Sequence, residues 1–255
     1  MPEAEVHLLW QALQFEGLYW LVFAAVVAGL VRGFSGFGTN LVFLPFAGQF
    51  LPPFWALLTL VMMDLIGPLP NLPQARREGH PRAVLIMMLG VVCALPLGLF
   101  LLRQMNPSLF RYLVSAMAMA VPISLMLGFR LNAGALRPRN LFGTGVCGGF
   151  LGGVVGLPGP PVILLYMSSK VAPQIIRANT MMYLFLFDIL LLLLFCLQGD
   201  LVALPVIIGV LLIFPALIGN IIGGFIFNPQ KEKLYRGCAY GIIMAAAFFS
   251  LPLWD

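Results

Sequence analysis

The chain has 255 residues, 61% of them hydrophobic and only 9% charged, with 14 Lys and Arg against 9 Asp and Glu. A domain exposed to water carries about 25% charged and about 45–50% apolar residues, so this composition excludes a soluble enzyme, a nucleic-acid binder and a disordered chain. The net charge of +5 comes from cations set singly or in small groups between apolar runs, a pattern that orients membrane proteins.

In chain order, the first residues are acidic (Glu3, Glu5), whereas a secretory signal would open basic. Residues 6–14 read as a short interfacial helix. Residues 17–50 are apolar but too long for one straight crossing, and they are broken at Arg32-Gly33-Phe34-Ser35-Gly36-Phe37-Gly38. Three runs of spanning length follow, at 54–72, 82–102 and 109–128. A crossing needs about 20 apolar residues for about 30 Å of hydrocarbon. A second broken region covers 140–170, interrupted at Gly152-Gly153-Val154-Val155-Gly156-Leu157-Pro158-Gly159-Pro160-Pro161. Three more spans are expected at 178–198, 201–227 and 237–254. Cys93, Cys147, Cys196 and Cys238 stand alone inside apolar runs, and read as small core hydrophobes rather than disulfide or metal ligands.

The two breaks are related. A shift of 120 residues lays Gly29 on Gly149, Gly33 on Gly153, Gly36 on Gly156 and Pro53 on Pro173. With small gaps, Gly90 and Pro96 fall on Gly209 and Pro215, and Asn106-Pro107 on Asn228-Pro229. The shared order predicts an all-α polytopic protein of two repeats, 1–128 and 140–255, joined by a linker at 129–139 within one membrane unit. Transporters commonly carry such internal symmetry, with discontinuous helices at matching places.

Charge bears on whether each broken region crosses or re-enters. If the broken helices cross, giving eight spans, the cations other than Arg32 divide six against seven. If each is a re-entrant hairpin, leaving six full spans, eleven fall on one side. They are Arg76, Arg77, Arg82, Arg130, Arg137, Arg139, Lys170, Arg177, Lys231, Lys233 and Arg236, with only Arg103 and Arg111 opposite. The re-entrant arrangement therefore follows the positive-inside pattern. It predicts a multi-pass protein of a bacterial-type inner membrane, with the loops of Arg76, Arg137 and Lys231 cytoplasmic and the two halves inverted.

The run Gly29-Leu30-Val31-Arg32-Gly33-Phe34-Ser35-Gly36-Phe37-Gly38, with Pro45 beyond it, resembles the first repeat signature of the TauE/SafE permeases. The run Gly153-Val154-Val155-Gly156-Leu157-Pro158-Gly159-Pro160-Pro161-Val162 resembles their second. The resemblance covers nearly the whole chain. It implies a carrier of sulfite, organosulfonates such as sulfoacetate, or related carboxylates. That family is usually described with eight apolar segments, so the re-entrant count departs from the description.

Backbone outside a helix is tolerated at membrane depth only where protein or a watery cavity satisfies it, so two facing breaks can share one cavity. Half-helices starting near Phe37 and Pro160 would aim free N–H groups at that cavity, a setting that attracts anions. The expected substrate-binding set is Arg32, Gly33, Ser35, Gly36, Phe37, Gly38, Thr39, Asn40, Gly153, Gly156, Pro158, Gly159, Pro160 and Asn179. The glycines have an alternative use as close helix contacts, Arg32 as a snorkelling cation, and Asn179 with Thr180 as helix caps. Asn71 and Asn220 are weaker candidates.

Asp64 and Asp188 fall inside spans, where an ionisable group is costly and points to function. Asp64 aligns with Leu184, one helical turn from Asp188, so the two acids occupy roughly symmetric places and are expected to couple anion movement to protons. Capping or pairing with an arginine is the plainer use of either acid. The expected partners are a small oxyanion, protons and the lipid bilayer, with room for a homodimer and with no nucleic acid, cofactor or metal. An anion channel is the nearest rival, although the sequence offers little continuous polar lining. A serine hydrolase using the G-x-S-G at Gly33–Gly36 lacks a histidine in reach, since His7 and His80 both lie near or beyond the membrane boundary. No catalytic residue is expected.

Overall fold

The computed structural model describes residues 2–36, 38–127, 136–167, 171–226 and 232–251. All regular structure among them is helical. The elements are α1 (Pro2–Leu13), α2 (Leu18–Ser35), α3 (Thr39–Phe50), α4 (Pro53–Asp64), a 3₁₀ turn (Leu69–Asn71), α5 (Leu72–Glu78), α6 (Pro81–Gln104), α7 (Pro107–Met126), α8 (Pro138–Val155), α9 (Gly159–Met167), α10 (Pro173–Gln198), α11 (Ala203–Ile226) and α12 (Glu232–Phe249). Proline opens α4, α6, α7, α8 and α10. At the first helical position it gives up no hydrogen bond and its fixed φ suits the helix. Asn106 completes the start of α7 by accepting from Leu109 N–H (2.7 Å).

Among the described residues four helices, α6, α7, α10 and α11, are long and apolar enough to cross a bilayer. Two further pairs pass the same test only when taken together across a bend, α1 with α2 at 72° and α4 with the segment Leu69–Glu78 at 50°. The helix expected at 6–14 is present as α1, steeply angled to α2. The expected single span at 54–72 is not one helix. Hydropathy continues past Asp64, but α4 ends there and the chain turns at Gly67-Pro68, because proline withholds the N–H that the next turn needs. The last span is also shorter than expected, its apolar part running over Gly237–Phe249.

Two helix pairs form the tightest packing. On α2, Gly29 and Gly33 lie against Ala216, Asn220 and Gly223 of α11, and a Cβ on Gly33 would stand 2.8 Å from Gly223 Cα. On α8, Gly145, Gly149 and Gly153 lie against Met87, Val91 and Gly98 of α6, and a Cβ on Gly153 would stand 2.8 Å from Gly98 Cα. Small residues at such seams let backbones touch, which drives association where lipid is as apolar as the side chains. In both pairs the residue numbers rise together, so the helices run parallel, and each pair joins an early segment to a late one.

The cysteines correct the core reading. All four are exposed on outer helix faces. A free thiol behaves as a small hydrophobe, which lipid accommodates as readily as a protein interior.

The two ends of the bundle are marked by side-chain clusters. At the first, Asn179 of α10 accepts from His80 N–H (2.6 Å) just before α6 and donates to the Tyr166 hydroxyl of α9 (2.9 Å). At the second, Arg103 of α6 bonds Gln198 and Asp200 after α10. Phe50, which closes α3, rests its ring on Gly17 at the start of α2, so α3 returns to the level from which α2 set out. At the second end Gln49 donates to Ser250 Oγ (2.8 Å) and ties α3 to α12.

Candidate functional site

The two breaks meet in space. Asn40, in the first turn of α3, donates its side-chain amide to the carbonyl of Gly156 (2.8 Å), which closes α8. These residues are 116 positions apart and belong to the two different broken pairs. Each break turns on glycine with positive φ, Gly36 at 79° and Gly38 at 101° in the first, Gly156 at 69° in the second. Only glycine adopts that backbone without strain. The Gly36 N–H donates to the Arg32 carbonyl (2.7 Å) and the Gly156 N–H to the Gly152 carbonyl (3.0 Å), so α2 and α8 stop cleanly and α3 and α9 begin anew. Thr39 at the start of α3 is buried, as is Pro160 in α9.

The intramembrane charges also converge. Arg32 near the end of α2 pairs with Asp64 at the end of α4. Asp188 of α10 lies within electrostatic reach of the same guanidinium. All three side chains sit in the interior, where an isolated ion would be costly. With both acids ionised the trio carries one net negative charge, and a single proton cancels it.

The remaining expected residues divide by location. Gly36, Gly38, Thr39, Asn40, Gly156, Pro158, Gly159 and Pro160 lie at the breaks. Gly33 and Gly153 lie instead in the α2–α11 and α6–α8 seams, where they make backbone contact. Asn179 faces α9 and the start of α6 rather than a break. Ser35 ends α2, but its side chain is outside the described residues, as is all of Phe37.

Arg177 and Tyr183 do not stand out in the sequence, whereas Thr180 does, beside Asn179, as a cavity-lining or capping residue. Arg177 of α10 leans over the first break, its Nε 3.2 Å from where a Cβ on Gly36 would stand. It also borders a cavity of about 310 Å³ between α5 and the first turns of α10. The sequence places it only among the orienting cations, because its partners lie far off in the chain. Thr180 and Tyr183 carry buried hydroxyls with no hydrogen-bond partner among the described residues. The Tyr183 hydroxyl sits against Gly148 of α8, close to the second break. A buried hydroxyl left unmade costs roughly 1–3 kcal/mol, which is the physical signal of a group kept for a ligand or water.

Comparison with known proteins adds one match. The family model described as sulfite exporter TauE/SafE matches residues 21–250. No curated protein and no solved structure matches the chain.

Proposed function

Because the chain belongs to the TauE/SafE sulfite exporter family, whose members are membrane transporters, we propose that it carries small oxyanions across the cytoplasmic membrane. The class covers sulfite, organosulfonates such as sulfoacetate, and related carboxylates. The anion is held between the first turns of α3 and α9. The Asn40–Gly156 hydrogen bond carries this reading, since it joins two helix starts that the chain keeps far apart. Free amides in the first turn of α3 and the dipoles of both helices favour an anion without a fully buried cation, although Pro160 and Pro161 give the first turn of α9 few N–H groups. The glycines admit close approach.

Arg32 is already matched by Asp64 and neighboured by Asp188. Its role is to keep the acids in the membrane rather than to bind the substrate outright. An anion arriving nearby favours protonation of the trio, and protonation favours the anion. Such mutual preference is the free-energy coupling that proton-linked transport requires.

The architecture in this reading is two inverted repeats, 1–128 and 140–255, with the linker at 129–139. Six segments cross, and α2/α3 and α8/α9 re-enter. Three observations support it. Phe50 returns to Gly17, Tyr166 returns to the His80 level, and α8 runs parallel to α6 from that same level. Arg76, Arg77, Arg82, Arg137, Arg139 and Arg177 then gather at the His80 end, facing the cytoplasm, with Arg103 and Arg111 opposite. Transport proceeds by one repeat rocking against the other around the shared site.

The test is flux in proteoliposomes with sulfite, sulfoacetate and short carboxylates. The expected result is saturable uptake that follows an imposed pH gradient. Asp188→Asn is expected to lose the pH dependence while retaining anion exchange, and Gly156→Leu to lose transport with insertion intact. Unsaturable conductance would overturn the carrier in favour of a channel.

A further inference from the structure

The two breaks do not offer the same donors. α3 starts without a side-chain cap, so the N–H groups of its first turn are open to the first break. Under the shift of 120 residues, Gly38, Asn40 and Leu41 fall on Pro158, Pro160 and Pro161. Proline has no N–H, so the second break is short of backbone donors where the first has them. α10 runs along that second break. Leu184 lies 3.7 Å from where a Cβ on Gly159 would stand, and the Phe187 ring lies beside Gly152, which also faces Pro158. Thr180 and Tyr183 stand on the same stretch, three residues apart and so neighbours on the helix surface. A Cβ on Gly148 would overlap the Tyr183 hydroxyl and stand 3.0 Å from the Pro158 carbonyl, so that hydroxyl reaches the edge of the break. Thr180 is 4% exposed and Tyr183 0%, and neither hydroxyl has a hydrogen-bond partner among the described residues. The positions they match in the first half are Leu60 and Met63. Where the first half has backbone N–H groups and apolar side chains, the second has prolines and hydroxyls.

We propose that the Thr180 and Tyr183 hydroxyls are the donors of the second break and bind the oxygen of the anion that faces away from α3. The proposal rests on the oxyanion-carrier reading and assigns the residues that discriminate among its substrates. A hydroxyl bonds strongly to a charged acceptor and, being neutral, adds no further cation to the interior. A sulfonate or sulfite sets three oxygens in a pyramid around sulfur, so two can lie on α3 while the third reaches α10. A carboxylate has two oxygens in one plane, and the first break occupies both. A buried hydroxyl without a partner destabilises the empty protein. The pair therefore opposes stability when the site is empty and favours the loaded state, which gives the test its sign.

The test uses the purified full chain in nanodiscs, with methanesulfonate and acetate as ligands in calorimetry and the melting temperature of the anion-free protein as a second reading. The variants are Tyr183→Phe, Thr180→Val and Thr180→Ser. The first two remove only a hydroxyl at nearly constant volume. Each is expected to bind methanesulfonate about tenfold more weakly, the size of one hydrogen bond to a charged group. Each is also expected to lose less affinity for acetate and to melt higher when empty. T180S keeps its hydroxyl and is expected to bind as wild type does. If wild type binds methanesulfonate and both Y183F and T180V bind it equally well, the hydroxyls serve only buried water and the proposal is overturned, while the carrier reading stands. An equal loss for both anions overturns the assignment of the third oxygen. A wild type that binds neither anion and shows no flux overturns the proposal and the carrier reading together.

Discussion

The two ends of α10 meet their surroundings in opposite ways. At its start, Gln174 and Arg177 border an open cavity. At its finish, Phe195 packs on Phe54 with ring centroids 4.7 Å apart, and Arg103 lies 5.8 Å from the Phe54 ring centre while bonding Gln198 and Asp200. In the proposed duplication Phe54 and Gln174 are equivalent positions, each in the first turn of its helix. Equivalent places in the two halves are thus sealed at one end and open at the other. The proposed alternating-access carrier needs such an asymmetry.

The strongest way to break the comparison is to fix the sealed end. In a background lacking the four native cysteines, Phe54→Cys and Phe195→Cys joined by a cleavable thiol reagent are expected to stop flux fully, with recovery on cleavage. Undiminished flux would mean that this end need not open. A second test separates the matched arginine from the unmatched one. Arg32→Ala leaves two acids without their cation, and removing one partner of a buried pair costs about 3–5 kcal/mol, to be read as a lowered melting temperature. Arg32→Ala combined with Asp64→Asn is expected to lose less. Equal melting of wild type and R32A would end the distinction between an Arg32 that is paired and an Arg177 that has no ion pair among the described residues. The smallest effect concerns Arg103, whose pair with Asp200 is partly exposed. Arg103→Ala is expected to cost about 0.2–1 kcal/mol of stability yet raise thiol labelling of a cysteine placed at 195. Unchanged labelling would assign the seal to the aromatic pair alone.

Much of this organisation is visible in the sequence because it is written in local chemistry. Under a shift of 120 residues α2 falls on α8, the start of α3 on that of α9, and Pro53 on Pro173, since proline starts and glycine stops act within one turn. The sequence favours a site over close packing for both glycine clusters, and only their neighbours separate Gly33 and Gly153 in the seams from Gly36 and Gly156 at the breaks. Other features depend on distant contacts. The partner of Arg32 is 32 residues away, so its pairing could be allowed for but not chosen over a snorkelling role. Arg177 gains its significance from Gly36 and from α5, neither of which is near it in sequence. The cysteines were misplaced because apolar content does not separate a lipid-facing surface from a core. The span at 54–72 was overextended because hydropathy runs on through the Gly67-Pro68 turn.

Thr59 and Asn179, also equivalent under the same shift, each reach across to the start of a helix in the other half. Thr59 Oγ1 donates to the Pro205 carbonyl (3.2 Å), 146 residues later, and Asn179 receives His80 N–H. At a synthesis rate of about 5–20 residues per second, Thr59 waits roughly 7–30 seconds for its acceptor to be made. During that interval the glycine face of α2 also lacks α11. The first half therefore emerges from the ribosome unable to complete its own interior, and a truncated transcript ending in the linker would yield a substrate for membrane quality control rather than half a carrier.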